Sequence, residues 1–79
     1  MKLFLISQTQ NIDHDTYDSA VVAAPDAESA QRMHPSGKPW SGVYAGTWCD
    51  SPDHISVTYL GKAAKGMLQS VVCASFNAG

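Results

Sequence analysis

The chain has few charged residues, and basic residues are the scarcer kind. Among its 79 residues, Lys and Arg together number 5, Asp and Glu together number 7, and the net charge is −2 at pH 7. Proteins that bind nucleic acid directly usually carry a basic stripe with interleaved aromatic side chains. No such stripe occurs in this sequence, so we do not expect direct nucleic-acid binding.

Long apolar runs are also missing. The chain opens on the short apolar stretch "MKLFLISQ", which contains one lysine and is too short for the core of a signal peptide. No segment approaches the ~20 consecutive apolar residues that cross a bilayer as a helix. The sequence therefore predicts a soluble, cytoplasmic protein that has no membrane partner.

Cysteine is rare as well. Cys49 and Cys73 lie far apart in the sequence, and neither belongs to a C-x-x-C motif. Without such a motif or an export signal, reduced thiols are the default. We expect no disulfide, and we expect Cys73, in the middle of an apolar stretch, to be buried in the core.

The length of the chain leaves little room for an internal pocket. It makes one domain, residues 1–79, and a domain of this size buries only about 60% of the surface of its unfolded chain. Small-molecule sites usually occupy about 300–1,000 Å³. We therefore expect no bound cofactor and a function carried out on the outer surface.

Apolar periodicity predicts five strands. The segment 2–8 is apolar on both alternations, which favours a central strand. Residues 55–59 alternate cleanly between apolar and polar, as in a half-buried antiparallel strand. The predicted strands span 2–8, 19–24, 43–48, 54–61 and 68–76.

One helix is predicted, at 26–34. Asp26 begins it, because a carboxylate at a helix start accepts hydrogen bonds from free backbone N–H groups, and Pro35 ends it. Ala30 and His34 fall on the side that would face a sheet. The order is β-β-α-β-β-β, an α+β fold with a mostly antiparallel sheet of four or five strands and one main helix. Since one helix covers one face, the other face must be polar, dimerised or bound to a partner.

The acids are concentrated in one part of the chain. Residues 11–30 contain no Lys or Arg, and from residue 54 onward there are no acids, only Lys62 and Lys65. The acids of 11–30 are Asp13, Asp15, Asp18, Asp26 and Glu28. Acids at a helix start need no functional explanation, but three in the acidic loop (residues 11–19) are harder to explain, because like charges in close proximity lower stability.

We interpret the acids of residues 11–30 as a contact surface for a positively charged partner. Tyr17 lies within the acidic loop. Since Tyr and Trp dominate binding hot spots, Tyr17 is the predicted anchor of this surface. Tyr44 and Trp48 are further anchor candidates, although core packing suits Trp48 better, and we expect Trp40 to fold back over the sheet edge.

Metal binding and catalysis have weaker support. The acidic loop lacks the central Gly and terminal Glu of an EF-hand calcium loop. The histidines His14, His34 and His54 form no close ligand pair for zinc. Cys49, followed by Asp50 and His54, is the one local candidate for nucleophilic catalysis, and it equally resembles an ordinary turn. We therefore expect no metal site and no enzymatic activity.

Four segments of the chain resemble segments of small proteins encoded by bacteriophages and other mobile elements. They are "MKLFLISQ", "YDSAVVAAPDAESAQRMHPSG", "VTYLGKAAKG" and "VVCASFNAG". They cover most of the chain and contain no catalytic signature. Some small acidic proteins of this kind are anti-CRISPR inhibitors. The resemblance implies an inhibitor, in the host cytoplasm, that binds the DNA-recognising or PAM-recognising subunit of a type I CRISPR interference complex.

Such inhibitors often imitate DNA with carboxylates. The mild net charge of this chain does not suit mimicry by the whole surface. It suits a local mimic made of one loop and one helix start. Two other readings stay open: a phage accessory protein that forms homo-oligomers through the uncovered sheet face, and a small enzyme that uses Cys49 and His54.

Overall fold

A computed structural model describes residues 1–12, 14–38, 40 and 46–77 of the chain. Within these ranges it contains four strands, one α-helix and a short 3-10 turn after the helix. In chain order they are β1 (Lys2–Ser7), β2 (Thr16–Ala24), α1 (Ala27–Gln31), the 3-10 turn (Pro52–His54), β3 (Ser56–Lys62) and β4 (Ser70–Asn77).

The four strands form one antiparallel sheet in the order β3-β1-β2-β4. The prediction that residues 2–8 form a central strand is confirmed, since β1 lies between β3 and β2. The α+β prediction is also confirmed, with four strands rather than five and a helix shorter than expected. Within the described ranges, no helix has the length and hydrophobicity needed to cross a bilayer.

The core lies between α1 and one face of the sheet. Phe4, Ile6 and Val22 are buried from the sheet side, and Ala30 is buried from the helix side. Burying an aliphatic or aromatic side chain of this size contributes about 1.5–3 kcal/mol. The small side chain of Ala30 allows the helix to approach the sheet closely.

The helix begins where the sequence indicates and ends early. The Asp26 side chain accepts a hydrogen bond from the Ser29 backbone N–H at 2.8 Å, which caps the first turn. The last turn tightens, because the Met33 N–H donates to the Ala30 carbonyl. Proline disfavours helical geometry at the residue that precedes it, so the helix ends before Pro35. The predicted span 26–34 was therefore too long at its C-terminal end.

Two strand predictions need correction. Of the predicted strand 43–48, residues 43–45 lie outside the described residues, and residues 46–48 form a turn rather than a strand. The strand predicted at 19–24 begins three residues earlier, because Thr16 and Tyr17 pair with the last residues of β4. Part of the predicted acidic loop is therefore strand.

The face of the sheet opposite α1 is the open face. Side chains alternate along a strand, so residues next to Phe4 and Ile6 point away from the helix. By register the open face carries Leu3, Leu5, Ser7, Ser19, Val21, Ser56, Thr58, Cys73 and Ser75. Cys73 is exposed there, opposite Val21, and the prediction that it is buried in the core is wrong. An apolar strand sequence at a sheet edge does not guarantee burial.

Candidate interaction surface

The acids of the sequence separate into two groups at opposite ends of β2. Asp15 precedes the strand and Asp18 lies near its first residue, whereas Asp26 and Glu28 follow its last residue. At about 3.3 Å per strand residue, Asp18 and Ala24 are about 20 Å apart. We call Asp15 and Asp18 the acidic end, and Asp26 and Glu28 the capped end. Asp13 lies outside the described residues.

The acidic end is shaped by two irregular backbone features. Asp15 has a φ of 60°, in the left-handed region that Asp tolerates better than most residues, and its N–H donates to the Asn77 carbonyl at 2.6 Å. Asp18 is the extra residue of a β-bulge, because Tyr17 pairs with Phe76 and Ser19 with Ser75. Bulges re-aim side chains, and both carboxylates here are exposed.

The capped end uses its carboxylates locally. The hydrogen bonds from Ser29 to Asp26 lower the pKa of that carboxyl from its usual value. Glu28 lies 3.9 Å from Arg32, four residues on, in an exposed ion pair. These contacts explain both acids by the requirements of a helix start.

Ion pairing distinguishes the two ends. Within the described ranges, Asp15 and Asp18 form no ion pair with Lys, Arg or His. The Asp18 carboxylate accepts a hydrogen bond from its neighbour Ser19 at 3.0 Å, which leaves its charge uncompensated. The acidic end is the part of the predicted surface that has negative charge available to a partner.

An aromatic cluster supports the acidic end from the core side. The ring of Tyr17 contacts Phe76 at a centroid distance of 4.8 Å and His34 at 5.9 Å. His34 in turn contacts Trp40 at 5.7 Å and Trp48 at 6.3 Å. Tyr17 is half-buried and packs against the core, so its ring contacts help to fix the start of β2.

The two tryptophans differ in how their N–H groups are used. Trp40 packs against the core, and its Nε1–H donates to the Arg32 carbonyl at 3.0 Å; that it covers the sheet edge stays a prediction. Trp48 is buried, as core packing predicts. In the described part of the chain, the Trp48 Nε1–H has no hydrogen-bond acceptor.

His34 lies at the centre of the cluster in a neutral state. Its Nδ1 accepts a hydrogen bond from the Ser36 N–H at 3.1 Å, which places the proton of the neutral ring on Nε2. Burial lowers the pKa of His34, because a charged imidazolium would lose its hydration. The sequence predicted that this residue faces the sheet and gave no signal for its aromatic partners.

The candidate catalytic group does not have the geometry of an activated nucleophile. Cys49 is buried, and its thiol donates to the Ser51 carbonyl at 3.3 Å. Burial raises the pKa of Cys49, which favours the unreactive thiol over the thiolate. The His54 side chain instead contacts Asp50, at 3.3 Å in an exposed pair.

A shallow basic groove lies beside β4. Its volume is about 320 Å³, and its lining includes Arg32 and Lys38 together with Ser70 and Val71. The groove opens at the end of β4 opposite the acidic end. Among the described residues, no group of three or more His, Cys, Asp or Glu side chains is placed to hold a metal ion.

Comparison of the chain with known protein families, with curated proteins and with solved structures finds no match.

Proposed function

We propose that the protein acts by binding rather than by catalysis, and that its acidic end engages a basic, DNA-binding groove on a partner protein. The sequence resemblance suggests that this partner is a subunit of a type I CRISPR interference complex in the host cytoplasm, in which case binding would block access of the target DNA. The observation that supports the proposal is the pair of exposed carboxylates, Asp15 and Asp18, at the start of a paired strand, where they form no ion pair with any other described residue.

Carboxylates can replace DNA phosphates in such a groove. Lys and Arg side chains arranged for phosphate oxygens form charge-assisted hydrogen bonds with carboxylate oxygens too. A strand start fixed by Tyr17 and by pairing with β4 presents the two acids with little entropy to lose on binding. Asp13, two residues before Asp15 in the sequence, would add a third charge.

The capped end has a smaller part in this proposal. Asp26 and Glu28 already serve the helix, so their charges are partly compensated before any partner arrives. Tyr17 contributes the exposed part of its ring. Opposite charges accelerate the encounter, and the contacts made by buried rings slow dissociation.

The test reverses the charge of the acidic loop. An exposed ion pair contributes only about 0.2–1 kcal/mol, so single substitutions are weak probes. The variant Asp13→Lys, Asp15→Lys, Asp18→Lys should lose binding to a purified type I interference complex, and should no longer block binding of its target DNA. Its thermal midpoint should stay near that of the wild type.

The matched control reverses the charge elsewhere. Lys62→Glu with Lys65→Glu also changes exposed residues and should leave binding unchanged. Binding of the wild type should weaken as salt rises, because exposed charges are screened. If the triple lysine variant inhibits as well as the wild type, the acidic end is not the contact surface.

The alternative function, a homo-oligomeric accessory protein, has its own support. That support comes from the outer edge of β4.

A further inference from the structure

The strand β4 forms one edge of the sheet, and in the described part of the chain it lacks the usual protection of an edge. Its sequence, "SVVCASFN", contains no charged residue and no proline over eight positions. Only Val71 is half-buried, and the exposed fractions of Val72 and Phe76 are 49% and 46%. Natural proteins usually protect such edges with lysine, proline or a covering segment, because unpaired backbone groups there can pair with another chain.

The alternation of hydrogen-bonded and non-hydrogen-bonded residue pairs in the sheet shows which backbone groups of β4 point outward. The Gln8 N–H donates to the Asp18 carbonyl, one step beyond the Ser7–Ser19 pair, which is the pattern of a non-hydrogen-bonded pair. The backbone groups of Ser19 therefore point toward β4. Along a strand these directions alternate, so the groups of Ala20 point back toward β1.

The same alternation continues into β4. Ala74 lies opposite Ala20, so the N–H and C=O of Ala74 point away from β2 and toward the open edge. Ala74 is also close to the middle of the strand. A second antiparallel strand could therefore exchange two hydrogen bonds with Ala74.

The charges at the two ends of β4 are complementary under antiparallel pairing. Asp15 lies beside the last residue of β4, through its hydrogen bond with Asn77. Arg32 and Lys38 line the groove beside Val71, near the first residue of the strand. Antiparallel pairing of two copies would bring the Asn77 end of β4 in each copy, with the acidic end on the neighbouring strand β2, to the end of the sheet that carries the basic groove of the other copy.

We propose that two copies of this chain pair through the outer edges of β4, antiparallel, about a two-fold axis centred on Ala74. Residues directly opposite each other on neighbouring strands point to the same face of the sheet. A two-fold axis perpendicular to the sheet therefore lies midway between the two copies of one residue, here Ala74. Centring it on Ala74 pairs residues 71–77 of the two copies. It places Val72 opposite Phe76, an aromatic and β-branched pair of the kind that stabilises sheets.

The other edge of the sheet is less suited to this role. The strand β3 carries Lys62 and is interrupted by a register shift at Leu60, followed by Gly61 with a φ of 152°. A charged residue and a backbone irregularity together oppose edge-to-edge pairing. The proposal therefore selects β4.

The first experiment removes the outward donor. Sedimentation equilibrium from about 1 μM to about 1 mM, the range of weak association, should show a monomer–dimer equilibrium for the wild type. Ala74→Pro should weaken dimerisation about tenfold or more, because it removes the two symmetry-related N–H donors and leaves the bonds to β2 intact. Ala74→Ser, which keeps the N–H, should dimerise like the wild type.

A second experiment tests the register without relying on proline. The proposed axis places Cys73 opposite Ser75 in a non-hydrogen-bonded pair, with Cα atoms about 4.5 Å apart and within disulfide range. Ser75→Cys should therefore give a covalent dimer on mild oxidation. The matched control, Ser56→Cys, lies in the same row of the open face on β3 and should not cross-link beyond the wild type.

Three results would overturn the proposal. They are a wild type that stays monomeric throughout the range, an Ala74→Pro variant that is folded and dimerises unchanged, and equal cross-linking of Ser56→Cys and Ser75→Cys. The substitutions leave Asp15 and Asp18 in place, so the outcome is separable from the test of the acidic end against a CRISPR complex.

Discussion

The start and the end of β2 carry similar negative charge, but the carboxylates at the two ends make different contacts. At the end, the Asp26 carboxylate caps α1 and Glu28 pairs with Arg32. At the start, Asp15 and Asp18 are exposed, and within the described ranges they form no ion pair. The start is held in place by the ring packing of Tyr17 and by backbone pairing with β4, and the acidic side chains contribute no ion pair among the described residues.

This difference separates acids that serve the fold from acids that are available to a partner. A carboxylate at a helix start reduces the free energy of the folded state by satisfying backbone N–H groups. The Asp18 carboxylate, on a bulge, has no ion-pair partner among the described residues and accepts a hydrogen bond only from its neighbour Ser19, so it contributes little to the stability of the fold. Functional proposals should therefore rest on the second kind.

The largest effect is expected from the aromatic cluster at the start of β2. Trp48→Ala should lower the free energy of unfolding by about 3–5 kcal/mol, because it empties a buried site beside His34. Urea unfolding followed by circular dichroism measures this. Trp48→Phe should cost clearly less, since it keeps the ring and removes an N–H that lacks an acceptor in the described part of the chain. Equal losses for the two variants would contradict the assigned packing.

The pH dependence of stability should depend on His34. Burial lowers the pKa of His34 below its usual value of 6.5, so the unfolded chain binds a proton more readily than the folded one. The free energy of unfolding should therefore be highest above pH 6.5 and should fall as the pH drops from about 7 to about 5.

Two variants isolate this contribution. His34→Phe should flatten the change in the urea midpoint over that interval, whatever its effect on absolute stability. His54→Asn, at an exposed histidine, should retain it. A wild type whose midpoint rises on acidification would show that His34 is not held neutral.

The smallest effect on stability is expected from single substitutions of the acids at the two ends of β2. Asp26→Ala should lower the midpoint of thermal unfolding by a few degrees at neutral pH, because the Ser29 N–H loses its acceptor. Asp18→Ala should leave the midpoint nearly unchanged. The pKa of Asp26 is lowered from 3.8, so its contribution is present above that pH and is lost as the pH falls through the folded-state pKa.

Differential scanning calorimetry at neutral pH and below about pH 3 checks both parts of this comparison. In the acid series the difference between the wild type and Asp26→Ala should shrink. A larger drop for Asp18→Ala than for Asp26→Ala would reverse the roles of the two ends.

Local patterns in the sequence predicted the helix start and the central strand. Asp26 and the apolar segment 2–8 act through nearby backbone and through burial on both faces, which composition records. The exposure of Cys73 could not be predicted in the same way, because it depends on which strand lies at the edge. Edge position is decided by strand order, and strand order is set by contacts distant in sequence.

The candidate site was predicted only in part. The concentration of acids was visible in the sequence, whereas the role of Tyr17 as a binding anchor stays a prediction. The separation of Asp18 from Asp26 by the length of β2 required knowing that the strand begins at Thr16 rather than at residue 19. The bulge at Asp18 comes from a register shift against β4, which no pattern within residues 11–19 records.

The strand order also has a consequence for the sequence of folding events. Ser7 meets Ser19 across a short connection, but it meets Ser56 on its other side only after a loop about four times as long has closed. Two doublings of loop length raise the entropic cost of closing the loop by about 1.2 kcal/mol. Pairing of β1 with β2 therefore has a lower closure cost than pairing of β1 with β3. During synthesis on a ribosome, this hairpin emerges with both of its edges uncovered, and β4, the last strand to emerge, closes the edge of β2. The acidic end therefore takes its final shape only when the C-terminal strand arrives, since Asp15 and the Asp18 bulge are both defined against it.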